Sequence, residues 1–242
     1  MKSVDISLQR YLFPNINEDG WKFISILTLL AVTLATICLP CGLLVMALTV
    51  WCFYTFRDPA RVTPIWSDAV VAPADGIIVS ITREKGPDAL GLGNKTFTRI
   101  CIFTSLFDVQ INRIPIRGKI IKTFYDAGKP FSGSFNKNDL NVERAMFVLR
   151  NPNKLDFAVQ QTAVFCGKRI VNRYVTNTYD ENNDEFLAGQ RFGFVRGGYC
   201  YVDLFLPDKI EPMVCVGQKM VAGETIITDI KSDAPRIEGE IR

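Results

Sequence analysis

Val70-Val71-Ala72-Pro73-Ala74-Asp75-Gly76-Ile77-Ile78-Val79-Ser80-Ile81 sets a β-branched run on either side of a Pro-Ala-Asp-Gly tetrapeptide. Branched side chains suit a pleated surface and Pro with Asp-Gly suits a turn, so the stretch reads as strand, turn, strand. The same texture runs outward from it. Arg99 to Phe103, Val109 to Ile111, Gly118 to Phe124, Met146 to Leu149 and Phe157 to Ala163 are expected strands. Arg169 to Val175, Phe192 to Val195, Tyr201 to Leu206 and Met213 to Val216 follow, and Val221 to Ile227 closes the series. A spacing of about ten residues, with turn formers between, favours an antiparallel barrel or sandwich over alternating βαβ units. The expected fold is mainly β: a single antiparallel barrel or sandwich domain over residues 64–230, with a polar tail at 231–242. Asn177 to Asp184, rich in Asn and Asp, is expected to be a flexible connection.

Upstream the chain changes character. After an N-terminal segment, 1–22, no charged residue occurs from Phe23 to Phe56, and Lys22 and Arg57 bracket the run. One continuous helix of that length would reach ~50 Å, well past a hydrocarbon core of ~30 Å. Pro40 and Gly42 divide it, so residues 23–56 are expected to anchor the protein in a membrane as a helical hairpin, a re-entrant dip or one tilted helix. Positive charge on both flanks (Lys22, Arg57, Arg61) favours both ends on the cytoplasmic side, which puts the soluble domain on the cytoplasmic face of the cell membrane. Trp21, Trp51 and Tyr54 stand where interfacial anchors belong.

Composition narrows the chemistry. Of the 242 residues, 48% are apolar and 22% charged, which suits a folded core; the net charge of +3 is too small for a nucleic-acid partner. There is no histidine, which removes imidazole metal sites and Ser-His or Cys-His nucleophile pairs, and no metal site is expected. Seven scattered cysteines do not make a disulfide framework and point to a reducing compartment. Cys38 and Cys41 form a C-x-x-C inside the apolar run, where two buried thiols are expected rather than a redox or metal pair.

Several segments, taken in order, carry a resemblance. They are Glu18-Asp19-Gly20-Trp21-Lys22-Phe23, Phe56-Arg57-Asp58-Pro59-Ala60-Arg61-Val62-Thr63-Pro64 and Ala72-Pro73-Ala74-Asp75-Gly76. Phe107-Asp108-Val109-Gln110-Ile111-Asn112-Arg113, Ile116-Arg117-Gly118-Lys119, Glu143-Arg144 and Gly189-Gln190-Arg191-Phe192-Gly193 continue it. Val202-Asp203-Leu204-Phe205-Leu206-Pro207 and Val216-Gly217-Gln218-Lys219-Met220-Val221-Ala222-Gly223-Glu224-Thr225 complete it. Together they resemble the phosphatidylserine decarboxylase family in its short, membrane-anchored form. The resemblance implies a lyase of phospholipid biosynthesis that converts phosphatidylserine to phosphatidylethanolamine. It also implies a zymogen that makes its pyruvoyl group from its own chain. Loss of CO2 from an amino acid leaves electrons on the α carbon, and ordinary side chains offer no sink for them, hence the pyruvoyl carbonyl.

In the family a serine following glycine attacks the preceding carbonyl and eliminates, with Asp and His as its activating partners. Asp75 matches the aspartate. The histidine of the family's D-V-H-V-N-R segment is Gln110 here, which takes no proton. The family's R-F-G-S-R-V-D segment reads Arg196-Gly197-Gly198-Tyr199-Cys200-Tyr201-Val202-Asp203, one residue longer and without serine; the nearest serines are Ser134 and Ser232. Gly198, Tyr199 and Cys200 thus stand at the pyruvoyl position. A phenol has no β leaving group; a cysteine thiolate is chemically competent but lacks a preceding glycine and a base. The pyruvoyl group is therefore not expected to form, and whether the chain is an enzyme stays open. The alternative is a non-catalytic, membrane-bound, lipid-binding relative, a pseudoenzyme.

Arg113, Arg117 and Lys119, with Lys122, Lys168, Arg169 and Arg173, are candidates for holding the lipid phosphate and carboxylate, or are solvated strand faces. Phosphatidylserine and membrane lipid are the expected partners, and a homo-oligomer is left open. A barrel-type carrier or phosphotransfer module is disfavoured, since it needs an exposed Lys in a hairpin or a phosphorylatable His.

Overall fold

The structure, a computed structural model, describes residues 15–65, 68–129, 136–139, 141–164, 169–172, 185–196 and 198–231. It divides into two compact units, the described parts of 1–60 and of 61–242. In the first, α1 (Glu18–Ile37) and α2 (Leu39–Thr55) pack on one another. The short strands β1 (Asn15–Ile16) and β2 (Arg57–Asp58) pair antiparallel and tie the outer ends together. Phe23 stacks on Phe56 at 5.8 Å, and a Cβ on Gly20 would stand 2.6 Å from the Phe56 Cβ, so glycine lets the ends close. The apolar segment is thus a helical hairpin rather than one tilted helix.

The break falls at Cys38, two residues before Pro40, because proline fits the first turn of a helix, where its missing N–H costs nothing. α1 also begins before Phe23, at Glu18. At the turn a Cβ on Gly42 would lie 2.5 Å from the Ala35 Cα, so the helices meet backbone to backbone. Gly20–Ile37 is long and apolar enough to cross a membrane, and α2 is apolar but shorter. The hydroxyls of Thr28, Thr33, Thr36, Thr49 and Thr55 donate back to carbonyls three or four residues earlier, hiding their polarity in the helix. Of the C-x-x-C thiols, Cys41 is exposed and Cys38 half-buried, contrary to the expectation of two buried thiols.

The second unit holds β3 (Ala69–Val71), β4 (Gly76–Lys85), β5 (Thr96–Thr104), β6 (Ile111–Arg113), β7 (Gly118–Asp126), β8 (Glu143–Arg150) and β9 (Asp156–Ala163). These are followed by β10 (Ile170–Asn172), β11 (Glu185–Phe186), β12 (Arg191–Val195), β13 (Cys200–Pro207), β14 (Lys219–Met220) and β15 (Ile226–Asp229). Eight of them form an antiparallel sheet in the order β11-β7-β8-β9-β13-β5-β4-β14, joined by a three-stranded sheet β10-β12-β6 and the pair β15-β3. The fold is mainly β and antiparallel, as expected. Bulges at Ile78/Ser80 in β4 and Ile120/Lys122 in β7 add twist to the large sheet.

The central strands β8, β9 and β13 are buried along nearly their whole length, because both faces of the sheet are covered there. One face meets the main core, where Ile78, Ile102, Phe147, Phe157 and Leu204 pack with Phe192 and Val195 of the small sheet and with Val70 and Ile227. The other face carries Phe97, Val148, Ala158 and Phe205 under Leu90 and Leu92.

Three expected strands are displaced, shortened or replaced by turns. Val109 and Gln110 belong to a loop, and the strand there is Ile111–Arg113. Met213 to Val216 is not a strand: Met213 N donates to the Ile227 carbonyl at 2.8 Å, after which a turn at Val216-Gly217, closed by Gln218 on Cys215, redirects the chain. Likewise Val221 to Thr225 is a turn, with Thr225 N donating to the Val221 carbonyl at 3.0 Å, and the strand begins at Ile226. The expected connection at Asn177 to Asp184, residues 173–175 of an expected strand, the polar tail beyond Lys231 and both nearby serines lie outside the described residues.

Candidate functional site

Asp75 sits in the turn before β4 and is 8% exposed. Its Oδ2 accepts from Arg61 Nη2 at 2.7 Å, its Oδ1 accepts from the Ala222 backbone N–H at 2.7 Å, and its carbonyl accepts from Thr104 Oγ1 at 2.7 Å. Arg61 also reaches Glu224 at 3.9 Å, and Glu224 Oε1 accepts from Val62 N at 3.0 Å. Ala72 N donates to the Thr225 carbonyl and Gly223 N to the Ala72 carbonyl, each at 2.8 Å. The Pro-Ala-Asp-Gly turn and the Val-Ala-Gly-Glu-Thr turn are thereby stitched to each other, and the Asp75 carboxylate spans two segments distant from it in the chain.

Gln110 is 3% exposed. Its Nε2 donates to the Ser105 carbonyl at 2.6 Å and more weakly to that of Asp108 at 3.4 Å, while Asp108 Oδ2 accepts from Ser105 N and Oγ at 2.9 and 2.7 Å. The amide therefore closes the loop that links β5 to β6. Its Oε1 is buried with no hydrogen-bond partner among the described residues. Its backbone carbonyl accepts from Val195 N at 3.2 Å, binding the loop to the end of β12.

Cys200 opens β13 and faces Thr104 on one side and Ala163 on the other. It is 1% exposed and belongs to the main core, and burial pushes its thiol up to about 12. Alternation along the strand turns the neighbouring rings the other way: Tyr199 stacks on Phe103 at 5.6 Å, and Tyr201 tilts against the same ring at 5.2 Å. Gly198 has φ +132°, and a Cβ there would collide with the Arg169 guanidinium, which donates to the Val164 carbonyl and reaches that of Tyr199 at 3.5 Å. Gly197 lies outside the described residues.

Asp75, Gln110 and the Gly198 to Cys200 junction are thus gathered at one end of the large sheet through Thr104: it pairs with Cys200, bonds to Asp75, and precedes the Ser105 carbonyl that Gln110 holds. The basic candidates do not converge on one point. Arg113 is buried, donating from Nη1 to the Gly189 carbonyl at 2.9 Å, with its backbone N–H on the Pro73 carbonyl. Arg117 forms a bidentate pair with Glu185, both contacts 2.8 Å, which holds the arginine above and the carboxylate below their usual ranges. Lys119 faces Arg150 and Glu185 across the ladder, near the β11 edge of the sheet. Lys168 and Arg173 lie outside the described residues. An open cavity of about 310 Å³ lies elsewhere, lined by Glu84, Arg99, Lys137, Arg144 and Gln160.

Arg61 and Thr104 escaped the sequence reading as site residues. Arg61 stands inside a run that carried the resemblance, but nothing local announces a partner in the next turn of chain.

The residues at the junction do not fit a pyruvoyl precursor. Tyr199 has no β leaving group, and the Cys200 thiol is turned into the core with no base against it among the described residues.

The phosphatidylserine decarboxylase family model matches residues 48–228. The phosphatidylserine decarboxylase proenzyme of Beijerinckia indica is 38% identical over 234 residues, 97% of each chain. That of Paramagnetospirillum magneticum is 36% identical over 242 residues, all of this chain and 98% of its own, and that of Rickettsia bellii 37% over 218 residues, 90% and 91% of the two. The chain belongs to the phosphatidylserine decarboxylase family. No solved structure matches it.

Proposed function

We propose that the protein is a member of this family in phospholipid metabolism that stays in one piece and binds phosphatidylserine without decarboxylating it. The junction at Gly198-Tyr199-Cys200 carries the reading. Decarboxylation needs an electron sink, and the side chains here neither form one nor are poised to. A thiol with its ionisation pushed up to about 12 is not a nucleophile near neutrality. Gln110 cannot exchange a proton, and its Nε2 is already committed to loop carbonyls. Asp75 holds Arg61 and the Ala222 N–H, a clamp rather than a base awaiting a proton.

The apolar hairpin supports membrane attachment, with the β unit on the cytoplasmic face. Of the basic candidates, the exposed Arg117 and Lys119 are the residues we assign to the lipid phosphate and carboxylate, while Arg113, buried on the Gly189 carbonyl, holds the fold. Arg117 would exchange its Glu185 carboxylate for the lipid's, a replacement of like by like.

The full chain purified in detergent tests the reading. Intact mass is expected to give one species near 27.2 kDa, and carboxyl-labelled phosphatidylserine no labelled CO2 above a boiled control. Short-chain phosphatidylserine should raise the melting temperature where short-chain phosphatidylcholine does not. Two fragments parted within residues 196–201, or labelled gas, would sink the proposal; equal stabilisation by both lipids would remove its binding half.

A further inference from the structure

The turn of the helical hairpin carries a feature that lipid binding leaves unused. Cys38 caps the N-terminus of α2 in extended backbone (φ −144°, ψ 100°), Pro40 occupies the first turn, and Cys41 follows three residues after Cys38. The two Sγ atoms are 3.0 Å apart, closer than two non-bonded sulfurs normally pack and about 1 Å beyond a disulfide bond length of ~2.05 Å. The backbone on both sides is held: Cys38 N donates to the Leu34 carbonyl at 2.7 Å, Gly42 N to the Cys38 carbonyl at 3.0 Å, and Gly42 seats the turn against Ala35. Neither thiol is sealed, since Cys41 is exposed and Cys38 half-buried.

We propose that Cys38 and Cys41 are a reversible dithiol–disulfide pair that staples the turn between the two apolar helices. The oxidant is a small-molecule disulfide such as glutathione disulfide. The Cys41 thiolate attacks one of its sulfurs, forming a mixed disulfide and releasing one glutathione thiolate. Cys38 then attacks the protein-side sulfur, forming the Cys38–Cys41 bond and releasing the second. Two protein thiols are oxidised, one glutathione disulfide is reduced to two thiols, and the two protein protons pass to the released thiolates. Helices of 20 and 17 residues reach ~30 and ~25 Å, which puts the turn at the membrane face remote from Glu18 and Thr55. That placement rests on the membrane attachment proposed above, whereas the bridge itself does not.

The full chain in detergent is equilibrated with glutathione mixtures from fully reduced to mostly oxidised, quenched in acid, alkylated with N-ethylmaleimide and mapped by peptide mass. The peptide bearing Cys38 and Cys41 is expected to pass from two adducts to none, two hydrogens lighter, with no intermediate carrying one adduct. C38S leaves Cys41 unbridged at every ratio, while C52S behaves as the parent. Two adducts persisting in the most oxidising mixture, or either cysteine found bonded to a third, overturns the proposal. The readout is independent of lipid binding and of CO2 release, so each proposal stands or falls by itself.

Discussion

Arg61 and Asp75 form a 2.7 Å ion pair with side chains only 16% and 11% exposed, and the second Asp75 oxygen receives the Ala222 N–H. Removing the cation takes the charge partner away from a largely desolvated carboxylate, which costs more than the pair gains over two neutral groups. Arg61→Ala is therefore expected to lower stability by ~2–3 kcal/mol, read from denaturant unfolding. The double-mutant cycle with Asp75→Asn should give a coupling of ~1–3 kcal/mol; a coupling near zero would show that the two act separately. At Gln110 the question is chemical. Gln110→His restores a ring that exchanges a proton, yet no hydroxymethyl side chain follows Gly198 for that ring to activate. The variant is expected to remain one chain by intact mass, and cleavage in it would place the missing function at Gln110 alone.

Between neighbouring strands, what decides is how closely backbones approach. Gly76 begins β4 with φ +146°, and a Cβ there would strike the Phe103 carbonyl, part of the β4–β5 ladder. Gly217 also has positive φ, +88°, but a Cβ there meets nothing within 4 Å. Alanine at Gly217 should cost ~1 kcal/mol, the backbone term alone, while alanine at Gly76 should cost at least ~3 kcal/mol because the strand start must also shift. Equal losses at the two sites in thermal unfolding would remove steric approach as the cause. The sequence made β4, β5, β7, β8, β9 and β13 legible because each is long and β-rich enough for its pattern to dominate. It misplaced β6 by two residues because Val109, though apolar and buried, serves the loop that Gln110 closes. Pro40 and Gly42 announced a break in the apolar run but not its register, since proline inside a first turn looks the same in sequence as proline ending a helix. Of the candidate site, Asp75, Gln110 and the Gly198 junction were readable from the family pattern. The clamp by Arg61 and Ala222 was not, because it joins segments that only folding brings together.

Over the molecule as a whole the charges nearly balance, at +3, and many of the anions are built into the β unit. Asp156 is the clearest case: burial opposes its ionisation, but Arg150 at 2.7 Å and Lys95 at 3.0 Å prevail and hold it below the usual carboxylate range. Glu185 is lowered as well, by its bidentate bond to the exposed Arg117, where solvent screens most of the effect. A carboxyl group with a depressed native value binds its proton more readily when the chain is unfolded. Stability it contributes is complete above the unfolded value near pH 4 and is lost as pH falls through the lower native value. The melting temperature of the full chain should accordingly hold steady from neutrality to about pH 5 and drop below about pH 4. Asp156→Asn isolates its share. The amide keeps a weak acceptor for Arg150 and Lys95 but no titrating group, so the variant should melt lower than the parent at pH 7. The gap between them should close as the pH is taken toward 3. A gap that stays constant across that range would mean Asp156 stabilises the β8–β9 turn by packing alone, and the acid sensitivity would then have to come from other carboxylates.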